Sequence, residues 1–520
     1  MRALRRMVLG TGSGVGKSLT VAGICRAASR MGLRVKPFKS QNMSNNSCAL
    51  PEGGEIARAQ VLQARAARIA PEAAMNPVLL KPMGEGKSQV IFMGRPLGVF
   101  SIAEYRELKK ELFPKVCGIF EELASDCDLI VLEGAGSPAE INLLDEDIAN
   151  TRMARAVEAP ALLLGDIEQG GVFASLFGTL ALLPKPDREM IRWLAINKFR
   201  GDASLLEKGL SGLTALTGVP FLGVMNHLGA LALPDEDSFR TRPSPGTSPG
   251  PAPLRIAVLS WPHLSNRSDI DPFLNDRGVE VLLLPLSAAP PGPVDAVVLP
   301  GTRRTMEDLA RFRDSSLYPW FVTHCRAGGA VVGICGGYQM MGREILDPDG
   351  VESPRPWMPG LGLLPVTVRF QNEKIARPVT ARIARAPFPG GEDLVGSVLE
   401  GYEIRQGRQT VDFDPGPLFR LHDPSGRELE AEGARSREDL CRFGSPVHGL
   451  FESNLFRRSF YGALRPGGIP EDALSDSAAL LEAEIDRLAD EVSASLDLGA
   501  FLANDGAGEP RGEGRAVHAP

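Results

Sequence analysis

The chain has 520 residues, 43% hydrophobic and 23% charged, the composition of a globular protein too long for one core. A prior of roughly 150 residues per domain suggests two to four units. A formal net charge of -7 is unsuited to general nucleic-acid binding, which needs a basic field, and no apolar run of about 18 residues offers a membrane span. The seven cysteines are scattered without a C-x-x-C pair. That argues against a disulfide framework or a zinc site and makes the cytoplasm the natural compartment.

The opening MRALRRMVLGTGSG reads as a buried strand over Met7–Leu9 rather than a signal peptide. Gly10-Thr-Gly-Ser-Gly-Val-Gly-Lys-Ser18 follows it and leads into a helical pattern over Lys17–Arg30, the strand–loop–helix context of a phosphate loop. Gly14 and Gly16 let backbone N–H groups close on phosphate oxygens, Lys17 would reach the terminal phosphates of ATP, and Ser18 would hold Mg2+. Thr11 stands where the strict G-x-x-x-x-G-K-[ST] pattern has its first glycine, so the loop is one residue longer, counted from Gly10. After a strand run at Leu33–Val35 and a helical stretch over Ile56–Arg68, the run Leu129–Leu132 ends in Glu133, the natural carboxylate for the metal that phosphate chemistry requires. Ala161–Leu164 leads to Asp166, a candidate for metal or substrate. Leu194–Ile196 leads to Asn197, which could read a nucleotide base, and Phe221–Val224 is a further run. Lys36, Lys39, Lys81, Lys198 and Arg200 are basic candidates for an anionic small molecule.

Ser238–Pro253, rich in Pro, Gly, Ser and Thr, reads as a linker. Beyond it the strand–helix alternation resumes with runs at Arg255–Leu259, Val279–Leu284, Ala296–Leu299 and Ala330–Ile334. Such continuous apolar runs suit strands buried on both faces. The expectation is α/β: two doubly wound domains with mostly parallel sheets, over 1–237 and 254–503, joined by 238–253 and followed by a disordered tail, 504–520. Cys335, between a strand and a helix in Gly-Ile-Cys-Gly-Gly, is placed as a nucleophile, because the glycines permit a sharp turn and the helix start stabilises a thiolate. Of the six histidines, His448 is the favoured base, with Glu452 as a candidate to orient its ring.

Together GTGSGVGKS, PFKSQNMSNNS (37–47), GGEIARAQ (53–60), EGAGSPAEINL (133–143), DIEQGGVFASLFGT (166–179), INKFRGD (196–202), PGTRRTMEDL (300–309), GICGGYQMMG (333–342), GYEIR (401–405) and the HGLF at His448 resemble the cobyric acid synthases, glutamine-hydrolysing enzymes of cobalamin biosynthesis. The likeness runs from about Met7 to about Arg465, and the longer phosphate loop looks like that of dethiobiotin synthetase. The resemblance implies an N-terminal ATP-binding amide synthase domain and a C-terminal class I glutamine amidotransferase domain, with Cys335 as nucleophile and His448 as catalytic histidine. It also implies glutamine and a corrinoid as substrates, ATP and Mg2+ as cofactors, and amidation of adenosylcobyrinic acid a,c-diamide through an acyl phosphate; a homo-oligomer is compatible with it. Two segments depart from the family pattern. Arg405 stands where histidine is frequent, and FGSPVHG replaces GTYLHG. Two alternatives stay open: the sister amidase that makes cobyrinic acid a,c-diamide, and a phosphate-loop ATPase switch with an inactive glutaminase-like domain.

Overall fold

The computed structural model describes residues 2–84, 86–229, 231, 233, 253–411, 416–438 and 441–503. Apart from Pro253, the expected linker 238–253 and the tail 504–520 lie outside the described residues. Contacts divide the chain into two compact units, 1–44 with 56–233 and 482–520, and 45–55 with 234–481. These bounds depart from the contiguous division 1–237 and 254–503 at two places.

In the first unit the apolar runs become six parallel strands: β1 (Leu4–Gly10), β2 (Val35–Phe38), β3 (Leu129–Glu133), β4 (Ala161–Asp166), β5 (Ile191–Phe199) and β6 (Phe221–Asn226), in the order β6-β5-β4-β1-β3-β2. Every residue of β3 and β4 is buried, which is why both read as unbroken apolar runs. Pairing of Val8 with Glu133, Gly10 with Leu164 and Asp166 with Asn197 brings the carboxyl ends of β1, β3, β4 and β5 to one edge. Ligands of doubly wound sheets bind at such an edge.

Helix α1 (Lys17–Arg30) has the bounds expected from sequence. The strand expected at Leu33 starts two residues late. Gly32 takes a left-handed turn (φ 86°) and Leu33 N–H donates back to the Ala28 carbonyl, so the chain cannot extend until Val35. Helix α2 occupies only Arg58–Ala66 of the expected 56–68: Glu55–Ala57 is extended, and Arg68 is left-handed (φ 61°).

The C-terminal helix Ser477–Ser495 explains the return of the chain to the first unit. Gly23 on α1 faces it so closely that a Cβ there would lie 2.6 Å from Val492. Arg26 pairs with Glu482, and Arg30 with Asp486 and Asp490. Asp497 N–H then donates to the Leu222 carbonyl at 3.0 Å. Helical periodicity locates such a helix but carries no sign of which core it covers.

The second unit holds β7 (Leu254–Ser260), β8 (Val279–Pro285), β9 (Ala296–Leu299), β10 (Ala330–Ile334), the long antiparallel pair β11 (Val366–Ile383) and β12 (Val398–Val411), β13 (Ala434–Arg435) and β14 (Arg442–Ser445). The main sheet runs β8-β7-β9-β10-β14-β13, parallel except for β13. Alternate residues feed two apolar clusters: Ile256, Val258, Val298 and Val332 on one side, Ala257, Leu259, Val297 and Val331 on the other. The sheet is therefore covered on both faces, as the runs implied. The pair β11–β12 was not foreseen, because its strands mix charged and apolar residues without a clean period of two. Residues 45–55 attach to this unit through Gly54 N–H to the Ala376 carbonyl at 3.0 Å and through pairs of Glu55 with Lys374 and Asn45 with Arg303. Among the described residues no helix is long and apolar enough to cross a membrane.

Candidate active sites

At the edge of the first sheet the phosphate loop turns through Gly14 (φ 71°) and Gly16 (φ 102°), backbone that a side chain would strain. Lys17 is buried, and its ammonium donates to the carbonyls of Gly12 at 2.7 Å and Gly136 at 2.9 Å. Thr11 N–H donates to the Leu164 carbonyl, anchoring the loop to β4. Asn197 braces the same loop, its Nδ2 donating to the Val15 carbonyl at 2.9 Å; a Cβ on Gly16 would collide with that amide. Lys198 bridges the Gly14 carbonyl and Asp166 Oδ2, each at 2.7 Å. Asp166 is thus drawn into the loop's support.

Glu133 collects four side chains. Its Oε1 accepts from Ser18 and Lys39, each at 2.7 Å, and its Oε2 from Gln63 at 2.6 Å and Gln60 at 3.3 Å. Burial pushes this carboxyl up, but the Lys39 charge and the hydrogen bonds outweigh it and hold it below its ordinary value. The expected pair Ser18 and Glu133 is therefore adjacent. Lys39, Gln60 and Gln63 complete the cluster, and only Lys39 had been singled out in the sequence. The signal was there: PFKSQN and GGEIARAQ carry polar residues in otherwise buried stretches.

In the second unit Cys335 caps β10 and starts the short helix Gly336–Met341 with φ 50° and ψ -109°. A non-glycine residue in that region marks stored strain, common where a nucleophile is presented. Gly337 is required, since a Cβ there would lie 1.8 Å from the Leu299 carbonyl oxygen. Cys335 Sγ lies 3.6 Å from the Ile404 carbonyl. His448 is fully buried beside it and hydrogen-bonds to it. The Tyr402 ring lies against the imidazole, centroids 5.0 Å apart and planes at 17°.

The orienting carboxylate is Asp269, not Glu452. Its Oδ2 lies 2.7 Å from His448 Nδ1, and its Oδ1 accepts from Gly449 N–H at 2.8 Å. Burial opposes the imidazolium, but Asp269 and Cys335 outweigh it and raise His448 to about 10 from 6.5. The protonated ring thus stabilises the fold. That contribution is full below about pH 6.5 and fades as pH climbs through about 10. Asp269 sits 179 residues before the histidine it serves, in SNRSD after β7, where proximity in sequence offers no clue.

Two family models match: the CobQ/CobB/MinD/ParA nucleotide binding domain over residues 6–237 and the CobB/CobQ-like glutamine amidotransferase domain over 255–456. A cobyric acid synthase from Sorangium cellulosum is 46% identical over 511 residues, covering 96% of this chain and 98% of its own length. The chain belongs to the cobyric acid synthases. Relatives of that name from Methylorubrum populi and Hyphomonas neptunium are each 43% identical, over 95% and 97% of the chain and 98% of their own lengths. The chain is accordingly an amide-forming ligase of cobalamin biosynthesis, with a nucleotide-binding domain and a glutamine amidotransferase domain.

Against that family pattern, Arg405 has a structural place. It is buried on the same face of β12 as Glu403 and is bonded to Glu403, Glu430 and Glu432 at 2.8, 2.9 and 3.0 Å. Burial opposes its charge, yet Glu432 and Glu403 raise it further, while burial pushes Glu432 up to about 7. The cluster pins the strand whose Tyr402 and Ile404 touch His448 and Cys335. For the cobyric acid synthase glutaminase, Asp269→Asn is expected to lower kcat for glutamine hydrolysis by about a hundredfold to ten-thousandfold, since the amide cannot hold the charged ring. Glutamate release against pH measures it. An unaltered rate removes Asp269 from the machinery.

Proposed function

We propose that the chain converts adenosylcobyrinic acid a,c-diamide to adenosylcobyric acid by ATP-dependent amidation with nitrogen from glutamine. The observation that carries the nitrogen half is His448 held between Asp269 and Cys335. The thiolate of Cys335 attacks the glutamine amide carbon, and His448 gives the proton to the departing nitrogen. Ammonia leaves, and water then hydrolyses the thioester to glutamate. The oxyanion meets backbone N–H groups at the start of helix 336–341.

In the first unit a substrate carboxylate takes the γ-phosphoryl group of ATP, giving ADP and an acyl phosphate; ammonia then displaces phosphate to form the amide. Lys17 offsets charge on the transferring group, and the loop backbone at Gly14 and Gly16 cradles the phosphates. Ser18 and Glu133 supply two hard oxygens next to each other, a donor set that fits Mg2+ completed by phosphate and water oxygens. When bound, that ion would neutralise phosphate charge. Lys39, on the same carboxylate oxygen, holds Glu133 ionised for it. Among the described residues no disulfide joins the cysteines, in keeping with the reducing cytoplasm as the compartment.

The test is mass spectrometry of the corrinoid products from adenosylcobyrinic acid a,c-diamide, ATP and glutamine. Successive amidated products ending in adenosylcobyric acid are expected. Amidation of cobyrinic acid alone identifies the sister a,c-diamide synthase instead, and ATP turnover without any amide product identifies a nucleotide switch.

A further inference from the structure

Asn266 lies in the loop after β7, three residues before Asp269, with φ 54° and ψ 56°. It is 4% exposed. Its Nδ2 is 3.2 Å from His448 Nε2, and its Oδ1 is buried with no hydrogen-bond partner among the described residues. A buried orphan acceptor costs about 1–3 kcal/mol and calls for an explanation.

The ring supplies one. Asp269 on Nδ1 and Cys335 are the titratable groups facing His448; Tyr402 lies flat on it from β12, and Gly301 approaches Cε1 from the loop after β9. With Nδ1–H given to Asp269 and Nε2 bare, the Asn266 amide N–H can donate to Nε2, and Oδ1 is stranded. With a proton on Nε2, two donors face each other. A half turn of the carboxamide, whose oxygen and nitrogen are nearly alike in shape, turns Oδ1 toward Nε2–H, beside the Cys335 sulfur that also hydrogen-bonds the ring.

We propose that Asn266 is a positioning residue of the glutaminase, its carboxamide turning over as His448 gains and loses the proton it passes to ammonia. This rests on the glutaminase reading above. The oxygen-to-imidazolium bond is charge-assisted and stronger than the amide-to-imidazole bond. Asn266 therefore favours the protonated ring on balance.

The test uses Asn266→Gly and Asn266→Asp in the full chain, since both residue types accept left-handed backbone. Ring titration is followed by NMR of 13C-labelled histidine, with the His448 signal assigned by its loss in His448→Gln, and glutamine hydrolysis is measured across pH. The glycine variant is expected to lose its ring proton about one pH unit lower than wild type, and the alkaline limb of kcat should move with it. The aspartate variant, which adds a charged acceptor, is expected to shift the other way. Hydrolysis near neutral pH should fall about tenfold in each. Shifts in the same direction, or none, in variants that melt like wild type overturn the role of Asn266. A wild-type chain that leaves glutamine intact overturns the glutaminase reading instead, because ring titration is read without turnover.

Discussion

Cys335→Ala is expected to abolish glutamine-dependent amidation while leaving amidation from added ammonia intact. Deleting Sγ removes the atom proposed above to form the thioester, so glutamine hydrolysis should fall by about a thousandfold or more. The fold should tolerate the change. Alanine keeps the Cβ, so the strain at φ 50° is unaltered. The lost atom is small, and it leaves behind only its contacts with the Ile404 carbonyl at 3.6 Å and the His448 ring. The residues proposed above for amide synthesis, Lys17, Ser18 and Glu133, belong to the other unit. Paired assays decide it: product formation from glutamine at neutral pH, and from ammonium salts at alkaline pH where free ammonia is abundant. A folded variant that has lost both activities refutes the division of labour between the two units.

The two domain types were legible because their signals are local. A phosphate loop announces itself through glycines next to a lysine at a strand end, and a cysteine elbow through glycines that the backbone cannot do without; Gly337 has no room for a Cβ. Lys17, Ser18, Glu133, Cys335 and His448 could be named from such short windows. The structure sets Ser18 against Glu133 and His448 against Cys335. What stayed hidden is non-local. Asp269 and Asn266 reach His448 across some 180 residues, and a lone Asp or Asn in a loop has many ordinary explanations. Glu452 was the candidate because it is near in sequence, yet loop and strand ends far apart in sequence meet at the edge of a parallel sheet. Asn197 shows the converse. Its place at the end of β5 was readable, but its amide is turned onto the Val15 carbonyl, a direction that depends on neighbouring backbone. The return of residues 482–503 to the first unit was invisible for the same reason: amphipathic periodicity reports one apolar face and not its partner.

Lys17→Ala is expected to stop amidation from both nitrogen sources. On the proposed mechanism the Lys17 ammonium is the loop cation that would follow the γ-phosphoryl group as its charge develops, and loss of such a group costs about a thousandfold or more in kcat. Two carbonyls, of Gly12 and Gly136, also lose a donor, which would lower stability by roughly 1–3 kcal/mol if they stay dry. The chemical and structural effects can be separated with Lys17→Arg. Arginine keeps the charge, but its planar fork is too wide to sit between those carbonyls and still present one compact charge to phosphate. If charge alone mattered, Lys17→Arg would restore most of the rate; if the point geometry of an ammonium matters, it stays as slow as alanine. The expected result is the second, read as ADP and amide formed per unit time with ammonia as donor, alongside thermal unfolding of all three chains. Appreciable ammonia-dependent amidation in a folded Lys17→Ala chain would remove the phosphate loop from the reaction and with it the acyl phosphate.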